Sequence, residues 1–332
     1  MGPGLALVAD IGGTHVRFAL ADAGRAEPLL LDSVQKLDVS AFPSLVDAAR
    51  HYLQGVGKGL GEPAQAVFAV AGRVDGDVAR ITNHPWVISR RDTASALGMG
   101  LEAVRLVNDF TAQAMAALLL RTSELAPIGA AGLPAMRGTE RTFAIIGPGT
   151  GLGVSALLIR EGRVHTLETE GGHVSFAAST EEEASIWSLL AGEFGRVSNE
   201  RLLSGRGLCN IHRALRKRAG ESDPPSRQPQ DITMGASSGD PDCVRALEIF
   251  CEVFGTAAGD LVLTLGSWDG VFLTGGLVPK LLPELQGPAF RRRFEAKGRF
   301  SEAMSRVPVA AGLHSQPGLL GAAALALQAA RD

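Results

Sequence analysis

A strand, a glycine-rich turn and a returning strand occur twice in this 332-residue chain, and this repeat restricts its fold more than any other feature. The first copy runs from an apolar segment at residues 5–9 into the sequence DIGGT at residues 10–14. The second runs from residues 142–146 into GPGTGLG at residues 147–153, about 137 positions later. Each copy predicts a buried hairpin, and their similarity suggests two related halves.

Further predicted strands and helices alternate along the chain. Short apolar runs predict the strands, and helical composition is found at residues 110–120, 181–194 and 243–265. Strands mixed with helices, with glycines at the strand ends, indicate an α/β architecture, and the length suggests two domains. Residues 219–242 are rich in Pro, Ser, Asp and Gly, so we predict an exposed loop there.

The composition argues against several classes of function. A net charge of −3 provides no electrostatic attraction to nucleic acid or to an anionic membrane. The three cysteines include no CxxC pair, and no histidine cluster has metal-ligand spacing. Reduced thiols and an N-terminus without a basic leader predict a cytoplasmic protein. The apolar segment at residues 317–330 is too short to span a bilayer, which favours a buried helix.

The DIGGT turn is the first candidate for phosphate binding. The adjacent Gly12 and Gly13 let the backbone approach an anion closely, and Thr14 adds a hydroxyl donor. The carboxylate of Asp10 would repel phosphate, so its presence makes sense with Mg²⁺ between the two groups. An ordinary hairpin turn explains the same residues equally well.

The second turn has four glycines and Thr150 within seven residues, which is more glycine than a hairpin needs. This density favours close approach of the backbone to a ligand. Paired with DIGGT, it would supply a second phosphate-binding loop. Gly275 and Gly276 follow a later apolar run and fit either an adenosine contact or a simple strand-to-helix turn.

Asn108 and Asp109 stand between an apolar run and a helical stretch, where either residue is a good helix N-cap. The alternative role for Asp109 is general base in phosphoryl transfer to an alcohol, since a carboxylate can accept the hydroxyl proton. Asn108 would then hydrogen-bond a neighbouring hydroxyl of a sugar.

Polar side chains suited to a polyol recur later in the chain. Glu170 and His173 flank two glycines, and Glu accepts hydroxyl hydrogens while His donates or accepts them. The alternative is an ordinary turn in which these two polar residues are simply solvated. Glu200 is a further carboxylate, whose helical surroundings predict surface exposure. The acidic run at residues 181–183 follows a capping Thr180, and the basic run at residues 291–293 predicts a solvated helix face.

These segments, in this order, resemble the bacterial glucokinase family of the hexokinase/actin-like ATPase superfamily. The resemblance covers nearly the whole chain. It rests on LALVADIGGTHVRFALAD (5–22), ITNHPW (81–86), VNDFTAQAMA (107–116), IGPGTGLGV (146–154), ETEGGHVSFA (168–177), ERLLSGRGL (200–208) and GVFLTGGLVPKL (270–281). Several motifs in family order are more specific than any single glycine turn.

The resemblance implies an actin-like ATPase fold of the hexokinase, ribonuclease H-like type. A small α/β domain would comprise residues 1–119 plus 312–332 and a large one residues 120–311, with a central cleft. The implied activity is transfer of the γ-phosphate of Mg·ATP to the 6-hydroxyl of glucose. The implied assembly is a homodimer, with no nucleic-acid or membrane partner.

The resemblance also implies roles for individual residues. Asp109 would be the catalytic base and would contact the sugar, with the other sugar ligands being Asn83, Asn108, Glu170, His173 and Glu200. The nucleotide-binding residues would be Ala9, Asp10, Ile11, Gly12, Gly13, Thr14, Gly149, Thr150, Gly151, Gly275 and Gly276. Asp10 would also hold Mg²⁺ through water.

His15 departs from the family, whose members commonly carry Asn after the GGT sequence. Imidazole is bulkier and titrates near neutral pH, so nucleotide affinity or its pH dependence is expected to differ. The rival functions are a kinase for another hexose, a sugar-sensing regulator and an actin-like assembly ATPase. The first strand begins near Leu5, leaving no room for a DNA-binding segment, and the polar pair at Glu170 and His173 argues against an assembly ATPase.

Overall fold

The computed structural model of the chain describes residues 4–56, 61–82 and 84–329. Two compact units are present: the chain up to Leu120 together with the C-terminal segment from His314, and Arg121–Leu313. Both units combine sheets with helices, so the predicted α/β class is confirmed.

The first unit is built on a mixed five-stranded sheet. Its strands are β1 (Leu5–Ile11), β2 (His15–Asp22), β3 (Leu29–Asp38), β4 (Gln65–Val70) and β8 (Val104–Asn108). They lie in the order β3-β2-β1-β4-β8, with β1 antiparallel to β2 and parallel to β4. The central strand β1 is buried on both faces, as its unbroken apolar run requires. A small antiparallel sheet adds β5 (Gly72–Asp75), β6 (Val78–Ile81) and β7 (Val87–Ser89).

Among its described residues, the first unit also contains the helices α1 (Leu45–Val56), α2 (Arg90–Ala96), α3 (Asp109–Ala116) and α11 (Pro317–Ala329). The apolar C-terminal segment therefore forms a helix, and its residues from Leu319 to Ala326 are largely buried. Helix α11 packs so closely on α3 that a Cβ atom at Gly321 would lie 1.7 Å from the Ala112 carbonyl oxygen. None of the helices among the described residues is long and apolar enough to cross a membrane.

The second unit repeats the strand order of the first. Its sheet contains β9 (Leu125–Pro127), β10 (Arg141–Pro148), β11 (Leu152–Arg160), β12 (Arg163–Glu168), β13 (Gly270–Leu273) and β14 (Val309–Gly312). The order is β12-β11-β10-β13-β14-β9. The hairpin β10–β11 occupies the place of β1–β2, and β13 runs parallel to β10 as β4 does to β1. The prediction of two related halves is confirmed. The second sheet has one additional strand, β9, which pairs antiparallel with β14 and forms one edge of the sheet.

The helices of the second unit are α4 (Glu181–Phe194), α5 (Gly205–Arg218), α6 (Pro229–Ser237), α7 (Pro241–Leu265), α8 (Leu282–Gln286), α9 (Pro288–Glu295) and α10 (Ser301–Ser305). The long α7 packs on α9 through fully buried rings, with the Phe254 and Phe290 centroids 5.4 Å apart. Gly255 permits this contact, because a Cβ there would lie 2.1 Å from the Phe290 carbonyl oxygen.

Two predictions for this unit are wrong. The predicted loop at residues 219–242 contains α6, which has Pro229 at its start and Ile232 buried; proline is well tolerated in the first helical turn. The second is the basic run of α9, which is not a solvated face throughout: Arg292 is 60% exposed, but its two neighbours are largely buried. The side chains of Arg291 and Arg293 are each 12% exposed, and they bind backbone carbonyls and the buried Glu183 respectively.

We expect Gly321→Ala to destabilise the first unit by about 1–3 kcal/mol, because an added methyl group would force α11 away from α3. The urea midpoint measured by circular dichroism tests this. Gly192→Ala in α4 is the matched control, since no atom lies within 4 Å of the position of its added Cβ. Alanine there should be neutral or stabilising by up to about 1 kcal/mol. An equal midpoint for the two variants would contradict the close packing.

Candidate active site

In the first unit, two predicted site segments lie at the same edge of the sheet. Ile11 at the end of β1 pairs with Val70, and Val70 pairs with Asn108 at the end of β8. Because neighbouring strands are about 4.8 Å apart, the DIGGT turn and Asn108 are separated by about 10 Å along this edge. The carboxyl ends of parallel strands are where α/β sheets bind ligands.

Asp10 is a partly buried carboxylate at this edge. Its side chain is 27% exposed, and Arg17 on the neighbouring strand lies 3.4 Å from Oδ2. Burial raises the pKa of Asp10, and the positive charge of Arg17 opposes this shift. The first turn of α11 approaches so closely that a Cβ at Gly318 would be 2.8 Å from the Asp10 carboxyl carbon. Asp10 therefore has a fixed position with limited access to water.

Of the two residues that the sequence offered as the helix N-cap, the structure selects Asn108. Asn108 is the N-cap of α3: its Oδ1 accepts from the Phe110 N–H at 2.8 Å and its Nδ2 donates to the Gly72 carbonyl at 3.1 Å. Asp109 is the first residue of the helix, and its Oδ1 also accepts from the Phe110 N–H at 3.0 Å. Since one hydrogen of the Asn108 amide remains for a sugar, this residue can be at most a single donor there.

In the second unit, three predicted sugar ligands cluster around His173. Its Nε2 lies 3.9 Å from Glu170 Oε2, and its Nδ1 lies 3.9 Å from Glu200 Oε1. The side chains of Glu170, His173 and Glu200 are 74%, 55% and 31% exposed, so all three can reach a ligand. Two carboxylates and an imidazole within this distance can accept and donate several hydroxyl hydrogen bonds.

The glycines between Glu170 and His173 explain how the cluster is held. A Cβ at Gly172 would lie 1.9 Å from the Leu152 carbonyl oxygen, and one at Gly171 would lie 2.9 Å from Val154. The absence of side chains lets this turn pack directly on β11. Glu200 is fixed from the other side, because its Oε2 accepts from the Leu152 N–H at 2.9 Å. That hydrogen bond contradicts the expectation that Glu200 is a solvated surface residue.

The glycine turn at residues 147–153 meets the turn at Gly275 and Gly276. The Leu277 N–H donates to the Pro148 carbonyl at 3.2 Å, and Gly275 has a φ of +88°. Gly147 is required by backbone packing, since its Cβ would be 2.6 Å from the Thr274 carbonyl oxygen. By contrast, a Cβ at Gly149 would have no atom nearer than 3.9 Å, and one at Gly276 would have none within 4 Å.

Gly149 and Gly276 open onto a cavity of about 1010 Å³ within the second unit. This volume is at the upper end of the range for ligand pockets, about 300–1,000 Å³. The walls come from the two glycine turns, the start of α5 and the segment that leads into α6. They include Thr150, and also Arg206, His212 and Lys280, which were not among the predicted site residues. Arg206 and Lys280 lie within the motif segments 200–208 and 270–281, whereas His212 lies outside every motif segment.

The other predicted site residues are less informative. Thr14 is exposed, whereas the side chains of Ala9 and Ile11 are fully buried, so these two could contact a nucleotide through backbone atoms alone. Asn83 lies outside the described residues.

Among the described residues, no group of three or more His, Cys, Asp or Glu could hold a metal ion. All three cysteines are free thiols.

The chain is similar to known proteins over nearly its whole length. A sequence model of the glucokinase family matches residues 7–329. The glucokinase of Stenotrophomonas maltophilia strain K279a is 58% identical over 327 residues, which cover 98% of this chain and 96% of the relative. A crystal structure of glucokinase from an Antarctic psychrotroph is 33% identical, with a TM-score of 0.84 over 97% of this chain and 98% of that one.

A more distant structure shares the fold. It is a ROK family glucokinase from Streptomyces griseus in complex with glucose and AMPPNP, 21% identical, with a TM-score of 0.63 over 97% of this chain and 99% of that one. Together with the duplicated strand order, these likenesses confirm the expected actin-like ATPase fold of the hexokinase type.

Proposed function

The chain belongs to the glucokinase family and is an ATP-dependent hexose kinase that phosphorylates glucose, and we propose that Asp109 is the general base of this reaction. The observation that carries this role is the position of Asp109 at the first residue of α3, on the sheet edge that also holds the DIGGT turn. The positive end of a helix dipole favours a negative side chain at such a position. Because Asn108 provides the cap, Asp109 is not required as the N-cap.

The proposed chemical step is a direct transfer. Asp109 accepts the proton of the glucose 6-hydroxyl while that oxygen forms a bond to the γ-phosphorus of ATP. The bond from the γ-phosphorus to the bridging oxygen breaks, and the electron pair leaves with ADP. Little covalent chemistry is required of the protein, so positioning and charge stabilisation account for most of the rate.

Glu170, His173 and Glu200 are the proposed sugar ligands of the second unit, and Asn108 and Asn83 those of the first. Support comes from the 3.9 Å contacts that link the three side chains around His173. A mixed set of acceptors and donors matches the alternating hydroxyl groups of a hexose. We expect these residues to govern the KM for glucose more than kcat.

The nucleotide is proposed to bind at the turns containing Gly12, Gly13 and Thr14, at Gly149–Gly151 and at Gly275-Gly276. Asp10 would hold the Mg²⁺ that accompanies ATP, and this ion would neutralise charge on the phosphates. The donor set fits such an ion, since Mg²⁺ is commonly held by one or two carboxylates with waters and phosphate oxygens. Asp10 is partly buried and fixed by Arg17, which suits one ligand of this kind.

We also propose that the enzyme is a cytoplasmic homodimer, as the family resemblance implies. Three free thiols are in keeping with a reducing compartment. Light scattering on the purified protein tests the dimer directly.

The substrate assignment is tested by ADP release from Mg·ATP in the presence of glucose, mannose, fructose or glucosamine. We expect the highest kcat/KM with glucose and negligible ADP release without sugar, since water must be a poor competitor of the 6-hydroxyl. A higher value with another hexose would reassign the substrate. Sugar-independent turnover would favour an assembly ATPase, and sugar binding without turnover would favour a sensor. Replacing ATP by ADP or polyphosphate tests the donor.

A further inference from the structure

His15 has a fixed position beside the DIGGT turn. It begins β2, directly after the exposed Thr14, and is itself half-buried. Its backbone carbonyl accepts from the Gly12 N–H at 2.9 Å, which ties it to the turn. On β3 it lies directly opposite Asp38. Side chains of directly opposed residues share one face of the sheet, with Cβ atoms about 4.5–5.5 Å apart. The imidazole and the Asp38 carboxylate are therefore neighbours at the phosphate-binding turn.

His15 shares a face of the first sheet with Asp10. Side chains alternate along a strand, so His15 and Arg17 lie on the face opposite Phe18, whose ring stacks on a ring of α1. Arg17 lies 3.4 Å from Asp10, so this face carries the proposed ligand of Mg²⁺. The first turn of α11 reaches the same face, because its Gly318 packs against the Asp10 carboxyl group. An imidazole, a carboxylate and a helix N-terminus thus lie near one another at one edge.

The charges around His15 balance only while its imidazole is neutral. The surrounding ionisable groups come from its own strand, from both neighbouring strands and from the segment after β6: Arg17, Asp10, Lys36, Asp38 and His84. Helix α11 contributes no charged side chain, only the positive end of its dipole. Hydrogen bonds from Ser40 lower the pKa of Asp38, and the charges of His15 and His84 lower it further. An ionised Asp38 favours the charged form of His15, which then gives this face a positive excess suited to an anion.

We propose that His15 contacts the γ-phosphoryl group of the donor as an imidazolium, so that the affinity for the donor increases as the pH falls. The inference rests on the proposed nucleotide role of the DIGGT turn and on Asp109 as the base. Asp109 stands at the same sheet edge and receives the proton of the attacking hydroxyl, so the phosphate nearest this edge is the one that is transferred. A charged donor forms a stronger hydrogen bond to phosphate than a neutral one.

The test compares AMPPNP, which carries a γ-phosphoryl group, with ADP, which lacks one, by calorimetry with Mg²⁺ present. His15→Asn keeps a hydrogen-bond donor but cannot become charged. It should raise the Kd for AMPPNP about 10-fold at pH 6 and less than about twofold at pH 8.5, where an imidazole is neutral. The Kd for ADP should change by less than about twofold at both pH values. Each comparison is between two proteins at one pH, so titration of the nucleotide itself cancels.

Two further variants separate the charge of His15 from other effects. His51→Asn is the matched control, because this exposed histidine lies on α1 of the same unit, and it should leave both Kd values unchanged at both pH values. Asp38→Asn keeps an acceptor for the Ser40 N–H but removes the charge that favours the imidazolium. It should therefore reduce the preference of the protein for AMPPNP at pH 6 over pH 8.5.

The proposal fails if His15→Asn changes the Kd for AMPPNP by the same factor at pH 6 and pH 8.5. It also fails if ADP and AMPPNP lose affinity equally, since the contact would then not be to the γ-phosphoryl group. His15→Gln, a second uncharged variant, should behave as His15→Asn does, and thermal denaturation identifies a folding defect in either. Glucose turnover by the wild type at pH 8.5 reports the proposed function separately, so that function stands if these binding tests fail.

Discussion

Asp109→Asn is expected to lower kcat for glucose phosphorylation by about 10²- to 10⁴-fold, which is the usual contribution of a general base. The amide has nearly the same shape as the carboxylate and can still accept from the Phe110 N–H through Oδ1. It cannot accept the proton of the 6-hydroxyl. The Kd for glucose, measured by calorimetry, should change by less than about threefold, because the hydrogen-bonding geometry at the start of α3 is kept.

The matched control is Asp92→Asn, an aspartate in the first turn of α2 in the same unit. It should leave kcat and KM unchanged, which would exclude a general effect of removing a negative charge at a helix start. Asp109→Ala should match Asp109→Asn in kcat if proton acceptance is the lost function. Turnover near that of the wild type in both Asp109 variants would remove this residue from the mechanism.

The sequence predicted the parts of the fold that depend on local patterns. Unbroken apolar runs before each glycine turn identified β1 and β10, and their repetition identified two halves with one strand order. The helix beginning with the acidic run at residues 181–183 was predicted from Thr180, whose Oγ1 accepts from the Glu183 N–H at 3.1 Å. Helix caps and apolar runs involve residues that are close together in the sequence, so both can be predicted from the sequence alone.

The glycines of the second turn have roles that local sequence patterns do not predict. High glycine content in the second turn predicted close approach to a ligand, but Gly147 is needed for packing on Thr274, and a Cβ at Gly151 would lie 2.4 Å from Glu200 Oε2. Gly149 alone of these three faces open space in the pocket. Partners distant in the sequence decide which explanation applies to each glycine. A count of glycines in a turn does not contain that information.

The same limit applies to charged side chains. Arg293 and Glu183 are 110 positions apart, and each stands in a run of like charges that is typical of a solvated helix face. The fold buries Glu183 almost completely, with 1% of its side chain exposed, and brings Arg293 Nη1 to 2.9 Å from its Oε1. Whether a charge is solvated or buried depends on how α4 and α9 pack, which no local pattern reports.

This buried pair leads to the largest stability effect that we expect. Glu183→Ala or Arg293→Ala should destabilise the second unit by about 3–5 kcal/mol, because either change leaves an uncompensated charge in a buried position. Glu183→Ala also removes the acceptor of the Ser179 N–H, which binds Oε2 at 2.7 Å. Urea unfolding followed by circular dichroism measures the loss, and the ADP-release assay on the remaining folded protein should give an unchanged KM for glucose.

Replacing both partners distinguishes an unpaired charge from lost packing. The double variant Glu183→Met with Arg293→Met removes both charges at similar volume and should recover most of the stability lost by either alanine variant. The control pair is Glu302 with Arg306, which are 83% and 74% exposed, so Glu302→Ala should cost less than about 1 kcal/mol. If Glu183→Ala lowers the free energy of unfolding no more than Glu302→Ala does, the buried pair contributes little to stability and α4 is held by its apolar contacts. A double variant as unstable as the single ones would instead assign the loss to packing of the two long side chains.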